Sequence, residues 1–261
     1  MRIKFLFKAI PLALATAFSA TATADNLVTF NPILASWSNG TPSGNVRYYN
    51  NNSANPFARW GSNSPESNNS GYDFLAAPVP LNVNVPLNSA SALFDLGVFI
   101  HQNRPITAGT SITGIDLALT TGVYVDNQFV DTYDFVFRFA HNETPNGANP
   151  CADGGNNGQG VNINGCADNV STSWATTSDV FEINDVEYTL NIRGFEYGGG
   201  QFTSFWTKED AANRATLRAQ VVTRADLEPD PDPDVPEPAT LALLGLGLAG
   251  LAGARRRQRT A

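Results

Sequence analysis

The chain predicts an all-β fold: a two-sheet antiparallel β-sandwich, jelly-roll-like, with one short helix. Three observations carry this. Apolar residues recur at every second position in several short segments, the period of a strand with one buried face. Two-residue turn signals, Asp126-Asn127 and Asn184-Asp185, separate pairs of those segments. The 261 residues include 22 Gly, 16 Pro and 16 Phe but only 16 Lys and Arg, which suits long polar loops around an aromatic-rich core.

From the N-terminal side, Asp25 to Asn55 reads as loop, with short strands expected at Leu27 to Phe30 and Asn45 to Tyr49. Pro78 to Pro86 alternates apolar and polar residues, but its prolines confine it to a sheet edge. Ser91 to Ile100 is a half-buried strand, with Ala92, Phe94, Leu96, Val98 and Ile100 on one face. Ser111 to Leu119 alternates through Ile112, Ile115, Leu117 and Leu119. Gly122 to Asp131 is a hairpin turning at Asp126-Asn127, and Tyr133 to Phe139 places its four aromatic rings on one face. Val180 to Ile183 and Val186 to Gly194 form a second hairpin around Asn184-Asp185. Gln201 to Trp206 and Thr216 to Thr223 complete the strands. Lys208 to Ala215 reads as the short helix, with Thr207 as N-cap and Asp210 at the third position.

Both ends read as signals. Arg2, Lys4 and Lys8 precede an apolar stretch, Ile10 to Phe18, and Ala22-Thr23-Ala24 is a small-x-small cleavage site. A cleavable signal peptide, residues 1–24, is expected, with the mature chain starting between Ala24 and Asp25. One domain, residues 25–225, follows. The linker 226–235 alternates Asp and Pro; its prolines favour an extended spacer and its carboxylates repel one another.

Residues 236–261 carry Pro236, Glu237 and Pro238, an apolar run from Ala239 to Ala254, and Arg255, Arg256 and Arg257. The run of 16 residues is short for a ~30 Å hydrocarbon core, and the arginines mark its cytoplasmic side. This three-part tail resembles the PEP-CTERM sorting signal of Gram-negative bacteria. The resemblance implies an exosortase as partner, transient insertion in the inner membrane as a transmembrane helix, cleavage near Pro-Glu-Pro, and release to the cell surface or extracellular space.

The formal net charge is −8. Seven of the cations (Arg2, Lys4, Lys8, Arg255, Arg256, Arg257 and Arg259) lie in the two signals, so the intervening domain is still more acidic. This disfavours nucleic acid and anionic membrane as partners. It is compatible with neutral polysaccharide and divalent cations.

The two cysteines, Cys151 and Cys166, bracket a loop rich in Gly and Asn, and in an exported chain they are expected to form a disulfide. That loop supplies oxygen ligands, and Asp153, Asn156 and Asp168 are candidates for calcium. The EF-hand spacing is absent, so no cofactor is the expectation and calcium the alternative. Only two histidines exist, His101 and His141, and their spacing does not suggest a metal pair. There is no Gly-x-Ser-x-Gly elbow, His-Glu-x-x-His or phosphate loop. No enzyme is expected and no catalytic residue is assigned. A glycan-active hydrolase is the remote alternative, with Glu143, Glu182, Glu187 and Glu196 as carboxylates. A carbohydrate-binding module is the nearer one, with Trp37, Tyr48, Tyr49, Trp60, Trp174 and Trp206 as candidate stacking rings.

A second resemblance rests on Arg59-Trp60-Gly61, Ser70-Gly71-Tyr72-Asp73-Phe74 and the segment from Phe94 to Ile106, which contains Ile100-His101-Gln102-Asn103. Phe137 to Asn146 adds to it. Together they resemble the THxN family of PEP-CTERM proteins, related to choice-of-anchor K domains, with Ile100 in place of the family threonine. The resemblance implies fold and location, not chemistry. His101 and Asn103 are expected to be structural, bonding loop backbone and pinning the turn before Pro105. The expected function is that of a non-enzymatic surface or extracellular-matrix protein, associated with exopolysaccharide and biofilm assembly.

Overall fold

The computed structural model describes residues 25–174 and 178–227. The expected signal peptide, most of the linker and the sorting tail lie outside them. The described residues form two antiparallel sheets with their aromatic-rich faces together. One sheet has the order β13 (Ser204–Thr207), β9 (Asp168–Trp174), β8 (Gln128–Asn142), β7 (Gly114–Val125), β1 (Asn26–Thr41), β5 (Leu81–Val85). The other runs β10 (Phe181–Ile183), β11 (Val186–Tyr197), β14 (Ala211–Thr223), β6 (Phe94–Asn103), β4 (Ser70–Ala76), β3 (Phe57–Trp60), β2 (Val46–Tyr49). β12 (Gly200–Phe202) adds to β11.

Both expected hairpins form. Asp126 and Asn127 have φ of 49° and 66°, and Asn184 and Asp185 have 51° and 64°. Two successive left-handed residues are what a two-residue hairpin requires, and Asn and Asp tolerate that region best. β5 is an edge strand, as its flanking prolines require. Phe135, Phe137 and Phe139 are fully buried on one face of β8. Phe139 stacks across the sandwich on Phe99 of β6, with centroids 5.2 Å apart and planes 8° from parallel.

Four expectations are corrected. The first strand of Asp25 to Asn55 is far longer than Leu27 to Phe30: β1 runs for 16 residues because it is paired along its length with β7 and, at its start, with β5, while the expected strand at Asn45 to Tyr49 forms as β2. Lys208 to Ala215 is not a helix. Thr207 is a strand residue, Asp210 is left-handed with φ 52°, and β14 is already extended from Ala211. The start of β14, Ala211 to Ala215, is paired with β6, and this ladder outweighs local helix propensity. Among the described residues helix occurs only as short 3₁₀ turns. Gln201 to Trp206 is split between sheets, since β12 pairs with β11 and β13 with β9.

The fourth correction places the functional site. Leu217 pairs with Gly97 but Arg218 with Asp95, so β6 carries one extra residue at this point. A bulge of one residue exchanges the faces of everything beyond it. Phe94 and Leu96 therefore pack inward before the bulge, while Phe99, His101 and Asn103 turn inward after it.

Candidate functional site

At one end of the sandwich the inward positions change from apolar to polar. On β8, His141 follows Phe139 in phase; on β6, His101 and Asn103 follow Phe99; on β13, Thr207 follows Phe205. On the strands that run the other way, Asp168 precedes Val170 and Ser70 precedes Tyr72. Antiparallel pairing brings these ends into one layer, with Tyr72 opposite His101 and Thr207 opposite Asp168. His101, Asn103 and Asp168 are each 0% exposed and His141 is 5%. The two imidazole centroids are 5.2 Å apart, and Trp60 lies against both rings, at 5.9 Å from His101 and 5.3 Å from His141.

Hydrogen bonds orient the ligand-type atoms. His101 Nδ1 is 2.8 Å from the Thr207 hydroxyl, and that hydroxyl donates to the Asp168 backbone carbonyl at 3.1 Å. With its proton committed there, Thr207 Oγ1 accepts from His101, which places the imidazole proton on Nδ1 and the lone pair on Nε2. His141 Nδ1 is 2.7 Å from the Tyr72 hydroxyl and Nε2 is 3.3 Å from Glu143 Oε2. Asp168 Oδ1 accepts the Thr144 amide at 2.7 Å. Asn103 Nδ2 donates to the Thr207 carbonyl at 3.1 Å.

Several buried atoms at this end have no hydrogen-bond partner among the described residues: His101 Nε2, Asp168 Oδ2, Asn103 Oδ1, Asn146 Oδ1 and both carboxyl oxygens of Glu209. Each such atom costs about 1–3 kcal/mol if it stays unpaired. Burial, reinforced by the negative charge of Glu143, pushes Asp168 up to about 8. Burial likewise raises Glu209 to about 7, with Glu143 adding to the rise; Asn146 and Asn103 lie close enough to oppose it, though not in hydrogen-bond geometry. Burial holds His101 well below its usual value, with His141 and Arg59 adding to the fall.

His101, His141 and Asp168 each offer one ligand atom, and the three atoms lie within 4.8 Å of one another. The expectation that the histidines would not pair thus meets a different geometry. Nor do His101 and Asn103 pin their own turn through loop backbone: both reach across to Thr207. The turn before Pro105 is held by Ser70, whose hydroxyl bonds both Arg104 backbone groups, and by Asn63, which donates to the Pro105 carbonyl.

The loop between β8 and β9 closes this end. Cys151 and Cys166 are joined in a disulfide, with Cα atoms 5.3 Å apart. Two of its asparagines bind the loop itself: Asn157 donates to the Asn146 and Ala148 carbonyls, and Asn162 accepts from the Ala167 amide; Asn164 donates to the Glu209 carbonyl beyond the loop. The three calcium candidates do not converge. Asp153 is exposed and bonded to Asn162 and the Gly155 amide, and Asn156 is exposed as well, whereas Asp168 faces the buried interior.

The expected stacking rings are dispersed, except that the Trp174 side chain lies outside what the structure describes. Trp37 and Trp60 are core, and Tyr49 stacks on Phe57 while its hydroxyl donates to Glu66. Tyr48 is exposed and Trp206 half-buried. Of the carboxylates weighed for hydrolysis, Glu196 pairs with Arg218 and Glu187 with Arg224, while Glu182 lies opposite Glu187 in the hairpin.

Outside the described residues, 234–257 match the family described as the PEP-CTERM protein-sorting motif. The chain carries an exosortase sorting signal. A protein with a PEP-CTERM tail is exported and passes through the membrane on its way to the cell surface. No curated protein matches the chain.

Proposed function

We propose that this is a non-enzymatic surface or extracellular-matrix protein of THxN type, released by an exosortase and associated with exopolysaccharide and biofilm assembly. The observation that carries the reading is the PEP-CTERM motif at residues 234–257, beyond a Pro/Asp-rich linker. A sequence rich in Pro and Asp favours an extended spacer, which would keep the Pro-Glu-Pro segment accessible to the exosortase. Two features support a passive role. The cluster of His101, His141 and Asp168 is sealed inside one end of the sandwich. The depression beside Arg104 is lined by Asn63, Ser64, Ser67, Asn68, Pro105 and Asp210, without an aromatic ring on which a sugar would stack.

The test is replacement of Pro236, Glu237 and Pro238 by alanine in the native host, with fractionation and matrix staining. Retention of the variant in the membrane fraction, with a matrix weakened as in a deletion strain, is the expected result. A deletion strain with an unchanged matrix, or purified protein that turns over a glycan, would remove the reading.

A further inference from the structure

We propose that His101, His141 and Asp168 form a buried structural site for one divalent transition-metal ion of the zinc type. It closes the polar end of the sandwich.

The donor set points to the class of ion. Two imidazoles and one carboxylate are ligands for borderline cations such as zinc, whereas calcium and magnesium take oxygen. His101 is already in the ligating tautomer, because Thr207 holds its Nδ1 proton and leaves the Nε2 lone pair buried and unpartnered. A second group orienting the far nitrogen is the usual support of a metal-bound histidine. Asp168 has the same division: Oδ1 is held by the Thr144 amide and Oδ2 is free, buried and without a partner. On His141, Tyr72 holds Nδ1, and Glu143 stands beside Nε2 as a further oxygen.

The distances fit a site for one ion. Ligand atoms around a tetrahedral ion at about 2.0–2.1 Å stand about 3.3 Å apart. From a set within 4.8 Å, each atom has to move inward by under about 1 Å, within reach of side-chain rotation. Charge fits too. A divalent cation would offset the buried Asp168 carboxylate and the Glu143 oxygen that stands beside His141 Nε2. Burial of every ligand leaves no path for a substrate, so the role is structural. The ion would tie β6 and β8, one from each sheet, to β9 at the foot of the disulfide loop.

The rival is a metal-free network in which a protonated Asp168 sits against the imidazoles. Full-length or naturally processed protein, purified without chelator and then dialysed against zinc, separates the two. Elemental analysis is expected to give close to one tightly held ion per chain, and a strong chelator is expected to lower the melting temperature by several degrees. Cobalt in place of zinc is expected to give visible bands of a tetrahedral site with nitrogen and oxygen ligands. Asp168→Asn and His101→Ala are each expected to reduce metal content at least tenfold at low micromolar zinc. Should those variants fail to fold, the chelator and cobalt experiments on the wild type still decide. Calcium is expected to leave the melting temperature unchanged. Wild-type protein that retains no stoichiometric ion and ignores the chelator would overturn the site. So would metal retained in full by folded Asp168→Asn and His101→Ala proteins.

Discussion

The Thr207 hydroxyl lies 2.8 Å from His101 Nδ1 and gives its own proton to the Asp168 carbonyl, 3.1 Å away. One hydroxyl on β13 thereby sets the tautomer of a histidine on β6 and anchors the first residue of β9. It joins the two sheets through a side chain that is 0% exposed. Thr207→Val keeps the shape and deletes the bonds. Loss of about 1–3 kcal/mol in denaturant unfolding is expected, because the His101 donor is left buried and unpaired. In the metal-free wild type, nitrogen NMR is expected to find the His101 proton on Nδ1. An unchanged midpoint, together with a proton on Nε2, would contradict this placement.

Glu209 supplies a prediction in pH. Its carboxyl is 1% exposed, and its value in the fold is about 7 against 4.5 for a free glutamate. The folded state therefore holds the proton more tightly than the unfolded state. Stability is fully present below about 4.5 and is lost as pH rises through about 7. Glu209→Gln removes the cost of ionisation. The variant is expected to match the wild type near pH 4 and to exceed it by on the order of 1–2 kcal/mol at pH 8, after allowance for screening at the loop-covered end. A difference between the two that does not vary with pH would show that Glu209 does not ionise in this range.

The disulfide between Cys151 and Cys166 closes a loop that contributes little apolar packing. Replacement of both cysteines by serine is expected to cost about 3 kcal/mol, the entropy of closing a loop of this length. Intact mass with and without reduction, after alkylation, checks the bond directly. Two freely alkylated thiols in native exported protein would exclude it.

Processing is expected to leave Asp25 at the N-terminus and a C-terminus near Pro236 to Pro238. The first follows from Ala22-Thr23-Ala24 and the second from the matched sorting motif. Mass spectrometry of protein released from its native host measures both ends. Surface protein that mostly keeps Arg255 to Arg257 would show that the tail remains as an anchor.

Much of the frame was legible locally. The two hairpin turns follow from Asn and Asp at positions of positive φ, and the edge position of β5 follows from its prolines. His141 was also within reach. It continues the phase of Phe135, Phe137 and Phe139, so period two alone puts it on the buried face. His101 was not. Its facing depends on the bulge near Leu96, and the apparent register of Ala92 to Ile100 runs on the wrong parity beyond that point. Nor did any local pattern show that β14 is extended, because its Ala- and Arg-containing start is neutral between helix and strand until β6 pairs with it.

The sequence by itself determined the all-β class, the turns, the cysteine pair and the address written in the tail. Each rests on neighbours within a few residues or on a contiguous motif. Tertiary structure alone decided the interior. His101, His141, Asp168 and Thr207 are separated by up to 106 positions and meet only because antiparallel pairing aligns the polar ends of β8, β9 and β13 in one sheet and the other sheet packs the polar end of β6 against them. Strand order and register are set by packing over the whole sheet, and no local pattern of side chains encodes them.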